Sequence, residues 1–213
     1  FDDINPHYDG WELSPNYRDR INENFKVVRC ELIEESNKFG FEITKTFRNS
    51  SIKQKIYLAN FNDLIYFDTC INWKERNIFL KSEFDTDIVS DRAVYNIQFG
   101  NIERSTLNNT SYEQAQFEVP FHKFMDISEG DYGISIINDG KYGGFIKEGK
   151  ISLSLLKSST YPYPEADKCL HEFSYALIPH QGDFRQGDIA SKAYIFNNNL
   201  YVEKLNGKYK AAD

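Results

Sequence analysis

Three cysteines, six prolines, one methionine and two tryptophans are all that the 213-residue chain holds of these types, and it has no long apolar run. Each shortage excludes something. Cys30, Cys70 and Cys169 form an odd, widely spaced set without a Cys-x-x-Cys pair. Neither a disulfide framework nor a thiolate zinc site is therefore indicated, and cytosolic thiols are the expectation. No stretch approaches the roughly 20 apolar residues that cross a bilayer, and Phe1-Asp2-Asp3 lacks the basic and apolar regions of a signal peptide. A membrane is not an expected partner. Lys and Arg never cluster beyond isolated pairs, and with a formal charge of −7 the chain has no electrostatic footprint for nucleic acid. Three Asn-x-Ser/Thr matches, at Asn49, Asn108 and Asn109, are short enough to arise by chance. The chain begins with Phe rather than Met, as a fragment or a processed N-terminus would.

What is present is apolar and aromatic. At 40% hydrophobic and 15% aromatic, the chain can bury a core and is most simply one large domain. Alternation with a period of two, the mark of half-buried strands, recurs over 25–33, 39–47 (with Phe39, Phe41 and Ile43 on one side), 52–58, 64–73, 77–84, 93–99 and 170–179. It is clearest in 132–158, where Ile134 and Ile136 alternate with Ser135, and Ile151, Leu153 and Leu155 alternate with Ser152 and Ser154. This stretch reads as strand, polar loop (138–143), short strand, turn (Glu148-Gly149-Lys150) and strand in a meander. Residues 100–116 read as a long polar crossing, of the kind that is functional or covers an edge. Pro162 and Pro164 force the chain out of the sheet, because proline cannot donate to a ladder. Residues 183–196 hold the one expected helix, and 197–202 a turn and a last short strand. The fold class is all-β, a large antiparallel β-sandwich with at most one or two short helices. Residues 1–24 are expected to be an arm packing on that sandwich, and 25–213 the sandwich itself.

Self-contained chemistry is hard to find. His7 and Asp9 have the two-residue spacing of a metal-chelating pair, but a solvated turn anchored by Trp11 is the better reading of them. His171 and Glu172 are strand neighbours and face opposite sides, so they cannot cooperate as a dyad. His122, beside Pro120 in an aromatic stretch, reads as a satisfied core or rim histidine. No nucleophile elbow, phosphate loop or dinucleotide fingerprint occurs. The loop Asn138-Asp139-Gly140-Lys141-Tyr142-Gly143 gathers an amide, a carboxylate, an ammonium and a phenol, and so either solvates a turn or reaches a polar ligand.

Longer stretches then resemble a known family. They are Phe99–Arg104, Asn109-Thr110-Ser111, Phe117–His122, Asn138–Gly143, Leu153–Ser158, Tyr161–Asp167 and His171–His180. In order, they are similar to the C-terminal β-domain of glycoside hydrolase family 38 α-mannosidases. Tyr8–Trp11, Trp73–Arg76 and Leu80-Lys81 agree with it. The resemblance covers roughly 1–200 and implies a mutarotase-like supersandwich that is part of a longer enzyme. Members hydrolyse terminal α-linked mannose with retention, through an Asp nucleophile and a zinc ion held by His and Asp, all in an N-terminal α/β barrel.

None of those motifs lies in this chain, and His7/Asp9 matches the start of the β-domain rather than the metal motif. The resemblance therefore implies no catalytic residue, no metal and no cofactor here, with zinc belonging to the catalytic domain. It implies that domain of the same enzyme and α-mannoside glycans as partners, with a homo-oligomer left open. Location in the cytoplasm is expected. Asn138, Asp139, Lys141 and Tyr142 are the candidate rim of the sugar pocket, with Glu103 and Arg104 as weaker candidates. Two other classes stay open on the residues alone. One is a free-standing carbohydrate-binding sandwich; the other is a mutarotase- or epimerase-like enzyme using His122 or His171.

Overall fold

The alternating segments become strands β1 (Lys26–Glu35), β2 (Lys38–Phe47), β3 (Ser50–Ala59), β4 (Ile65–Asn72), β5 (Leu80–Asp85), β6 (Arg92–Ile97), β7 (Gly100–Ser105), β8 (Val119–Pro120), β9 (Phe124–Glu129), β10 (Tyr132–Asn138), β11 (Gly143–Lys147), β12 (Lys150–Leu156) and β13 (Leu170–Gln181). The computed structural model describes residues 1–4, 8–21 and 23–198. Nine strands form one sheet, in the order β1-β2-β3-β4-β13-β10-β9-β6-β7, and four form another, β5-β12-β11-β8. All the pairings are antiparallel. The expected all-β sandwich is what forms, with two helices, α1 (Ser111–Ala115) and α2 (Ile189–Asn197).

The sheets pack face to face. From the larger come Phe67, Ile71, Tyr95, Met125, Ile127, Ile136 and Tyr175, and from the smaller Ile146, Ile151, Leu153 and Leu155, all buried in one cluster with Trp73. Registry between the layers is visible in single contacts. Phe84 of β5 meets Phe67 and Tyr175 of β4 and β13, while the Ile146 amide of β11 donates to the Tyr95 hydroxyl of β6 at 2.7 Å. A Cβ on Gly144 would stand 2.5 Å from the Ser152 carbonyl oxygen and 2.9 Å from Met125 Cε, so only glycine lets β11 lie this close. The other face of the larger sheet carries a second cluster, in which Phe124, Ile137, Ala176 and Ile178 are roofed by Phe184, Ile189 and Ala193. β9, β10 and β13 are thus apolar on both faces.

Three expectations change. The 132–158 stretch is not one meander: β10 pairs with β9 and β13, and β11 with β12 and β8, so the 138–143 loop is the crossing from one sheet to the other. The crossing at 100–116 contains edge strand β7 and helix α1. That helix is started by Thr110, whose hydroxyl accepts from the Glu113 amide, while the Glu113 carboxylate accepts from the Thr110 amide. Third, residues 124–129, where the sequence shows no alternation, form a full strand, β9. The expected helix is found as α2, and of the expected closing strand, 199–202 lie outside the described residues.

The N-terminal segment lies on the outer face of the smaller sheet. Fully buried Tyr17 packs edge-on against Phe1 and Phe79 and donates to Glu118 Oε1 at 2.6 Å. Arg18 pairs with Glu83 of β5 at 3.1 Å. Among the described residues no helix is long and apolar enough to cross a membrane.

Candidate functional site

The crossing loop owes its shape to Asn138. Its buried side chain donates from Nδ2 to the His122 carbonyl at 2.9 Å and accepts at Oδ1 from the Gly140 and Lys141 amides at 2.9 and 2.6 Å. This side-chain-capped turn replaces a backbone hairpin and sends successive side chains to different sides. The amide of Asn138 is spent on the loop itself, which leaves Asp139, Lys141 and Tyr142 to meet a ligand.

Those three do not converge on one cavity. Asp139 lines a cavity of about 720 Å³ on the outer face of the larger sheet, with Tyr57, Tyr66, Asp68, Ser174 and Phe196 among its walls. Asp139 Oδ2 accepts from the Ser174 amide at 2.9 Å, and Asp68 accepts from the Ser174 hydroxyl at 2.8 Å and the Tyr57 hydroxyl at 2.9 Å. Desolvation by these walls lifts the Asp139 pKa above the usual carboxylate value; the Ser174 amide opposes the rise.

Lys141 and Tyr142 line a second cavity, of about 470 Å³, with Glu118, Ser154, Leu156 and Lys157. Lys141 Nζ lies 4.2 Å from the centre of the Phe173 ring. Partial burial lowers its pKa, against the pull of Asp167 and Asp139. Tyr142 is exposed and its ring leans on His122, 5.9 Å between centres. Below them Glu118 accepts from Tyr17, Lys81 and Ser154.

Glu103 and Arg104 stand elsewhere, on β7 at the far edge of the larger sheet. Glu103 pairs with Arg92 at 3.7 Å, and Arg104 lies over Tyr95, 5.6 Å from the ring centre.

The histidines are separated as well. His122 gives its amide to Asn96, and the His171 ring meets the Asp167 carbonyl at 2.6 Å. Asp9 is buried and accepts from the Thr160 amide and hydroxyl and the Tyr161 amide at 2.7–2.8 Å, which ties the arm to 160–161. His7, the other half of the spaced pair, lies outside the described residues. Among the described residues no group of three or more His, Cys, Asp or Glu is placed to hold a metal ion.

One polar cluster was not singled out from the sequence. His180 Nε2 lies 2.7 Å from Asp126 Oδ1, which also accepts from Ser135 at 2.6 Å, while Asp126 Oδ2 accepts from Ser128 at 2.7 Å. In a hydrolytic triad the serine and the aspartate meet opposite ring nitrogens. Here both meet Nε2, and Nδ1 is buried without a partner. With His180 and Asp126 buried, this is a structural network between β9, β10 and β13. Its only trace in the sequence is polar residues at strand positions that apolar ones surround.

The family model described as "Glycosyl hydrolases family 38 C-terminal domain" matches residues 1–165. Alpha-mannosidase 2C1 of Homo sapiens is 41% identical over 149 residues, 70% of this chain and 14% of that protein. The alpha-mannosidase of Saccharomyces cerevisiae is 46% identical over 129 residues, 61% of this chain and 12% of that one. Among solved structures, an alpha-mannosidase from Enterococcus faecalis superposes with a TM-score of 0.69 at 16% identity, over 80% of this chain and 24% of that chain. The chain thus spans about one seventh of the length of the curated relatives it matches.

Proposed function

The chain belongs to the glycosyl hydrolase family 38 C-terminal domain family, and from that premise we propose that it is the non-catalytic β-body of a longer retaining α-mannosidase acting on terminal α-linked mannose. In this reading it braces the catalytic domain, and its 138–143 crossing lines the rim of the sugar pocket. The observation that carries the reading is the commitment of the buried and partly buried carboxylates. Buried Asp9, Glu75 and Asp126 and partly buried Glu118 each accept two or more hydrogen bonds from protein donors. Retaining hydrolysis needs a nucleophile and an acid about 5 Å apart, both free to reach the sugar. Groups tied down in this way serve structure. Zinc, in the same reading, is held by residues outside this chain. Asp9 is a poor ligand, because both its oxygens already accept backbone amides. The cytoplasm fits three unpaired cysteines, two of them exposed.

Two measurements test this. The isolated chain, supplied with zinc, is expected to show no turnover of an aryl α-mannoside. Turnover lost in Asp139→Asn would move the chemistry into the cavity that Asp139 shares with Asp68. In the longer enzyme, Lys141→Ala is expected to lower kcat/KM about ten-fold, the loss of one charge-assisted hydrogen bond. Glu103→Ala is expected to change nothing; an effect at Glu103 and none at Lys141 would relocate the rim to β7.

A further inference from the structure

The smaller sheet stops short of the larger. β5, its last strand, lies over β4 and β13, as the Phe84 contacts with Phe67 and Tyr175 show. Among the described residues, the smaller sheet reaches β2 at its end, where Phe47 joins the core with Leu80, and leaves β1, the rest of β2 and the adjoining part of β3 uncovered. Cross-strand partners share a face, and the ladders Leu32–Phe41–Ile56–Phe67 and Phe39–Leu58–Ile65 continue the buried inner face outward. There the side chains emerge from the core: Leu32 is 55% exposed, Phe39 54%, Phe41 46% and Leu58 50%. Cys30, paired with Ile43 on the same face, is exposed too.

The opposite face of the same strands is dressed for water. It carries the Lys53–Glu42 and Arg29–Glu31 ion pairs at 2.9 and 2.5 Å. The inner face holds its charges at the margins, Glu34 beside Phe39 and Lys45 beside Ile52, and a sheet so divided buries its more apolar face.

We infer that β-strands from another part of the same longer enzyme add to the free edge of β5 and roof this apolar face. The edge is available. β5 ends its sheet, and among the described residues the N-terminal segment pairs its backbone with the upstream continuation, where the Phe79 amide donates to the Phe1 carbonyl and the Asp3 amide to the Asn77 carbonyl, while Ile21, Glu23 and Phe25 flank Leu80–Glu83 across a cavity of about 290 Å³. A strand hydrogen-bonded to Ser82–Asp85 extends the smaller sheet and sits about 10 Å above Phe41 and Leu58, the ordinary spacing of stacked sheets. Addition to β1 instead would lengthen the larger sheet and cover nothing. The β1 edge is also blunted by a bulge between Val27 and Arg29. The relatives supply the occupant, since six sevenths of their length lies outside the matched region. The inference rests on the reading that this chain is part of a longer enzyme, and not on that enzyme's activity.

Cys30 is the built-in reporter. With Cys70 and Cys169 replaced by alanine, Cys30 is expected to react freely with a maleimide in this chain and about 100-fold more slowly in the longer enzyme, as a group exposed only by local opening does. Hydrogen exchange at the amides of 82–85 is expected to slow in parallel. Phe41→Asp in the longer enzyme should restore Cys30 reactivity while leaving the melting temperature of the isolated chain unchanged. Equal labelling in both proteins overturns the inference. So does protection of Cys30 without protection of 82–85, which means a cover that is not a strand. Protection in the isolated chain that grows with concentration overturns it too, because the occupant is then a second copy. Aryl α-mannoside hydrolysis by the same longer protein reports separately on the proposed function.

Discussion

Lys81→Met is expected to destabilise the protein by about 3–5 kcal/mol, the cost of removing one partner from a buried ion pair. The Lys81 side chain is fully buried and its ammonium bonds Glu118, which is itself mostly buried. Desolvation lowers the Lys81 pKa, and Glu118 acts against that shift by holding the proton on. Around the ammonium stand the rings of Phe79 and Phe145, 4.8 and 4.9 Å from Nζ. Methionine keeps the stem in that aromatic slot and removes only the charge, so the loss reports an uncompensated Glu118 rather than a void. Adding Glu118→Gln to Lys81→Met should recover most of the loss, since a neutral amide can still accept from Tyr17 through its oxygen and donate through its nitrogen to the Ser154 hydroxyl, which has lost the Lys81 ammonium. Urea unfolding at constant m measures both steps. If the single variant loses under 1 kcal/mol, Glu118 is solvated and the pair does not secure the arm. The arm depends on it because Tyr17 docks on the same carboxylate.

How far this was readable beforehand differs from strand to strand. β1 to β4 follow one another in chain order and pair with their neighbours, so alternation plus Asn-rich turns sufficed. β7 escaped because GNIERS holds a single apolar residue, Ile102, and an edge strand open to water needs no more. β9 escaped for the opposite reason. Met125 and Ile127 face one core and Phe124 the other, so FMDISE has no clean period. The crossing of 138–143 between sheets was hidden because β10 finds its second partner in β13, some 40 residues later, and long-range pairing leaves no local mark. The loop itself was legible as a polar turn. That Asp139 and Lys141 face different cavities follows from the turn capped by Asn138, which composition does not encode. Phe39 and Phe41 share one side of a strand, as their alternation implies. Their exposure comes from where the smaller sheet ends.

Asp126→Ala is expected to cost about 3–5 kcal/mol as well, and the comparison with Ser135→Ala separates architecture from chemistry. Asp126 is the acceptor for His180, Ser128 and Ser135 together, so its removal strands the buried Ser135 hydroxyl and the buried imidazole and leaves the half-buried Ser128 hydroxyl to water. The space has no slack: a Cβ on Gly133 would come within 2.5 Å of both His180 Cε1 and Ser128 Oγ, and one on Gly187 within 2.8 Å of the ring. Helix α2 and the turn before it close over this network, so the loss should appear first as faster amide exchange in 183–197 and only then in the global midpoint. Ser135→Ala removes one donor of three and should cost about 1 kcal/mol. In the longer enzyme it should leave kcat/KM unchanged, whereas a nucleophilic serine would take activity down by several orders of magnitude. Stability lost at Asp126 with turnover intact at Ser135 is the pattern of a network that pins β9, β10 and β13 together beneath the crossing loop. Since Asn138 ends β10 and donates to the His122 carbonyl just before β9, that pinning fixes where Lys141 and Tyr142 stand.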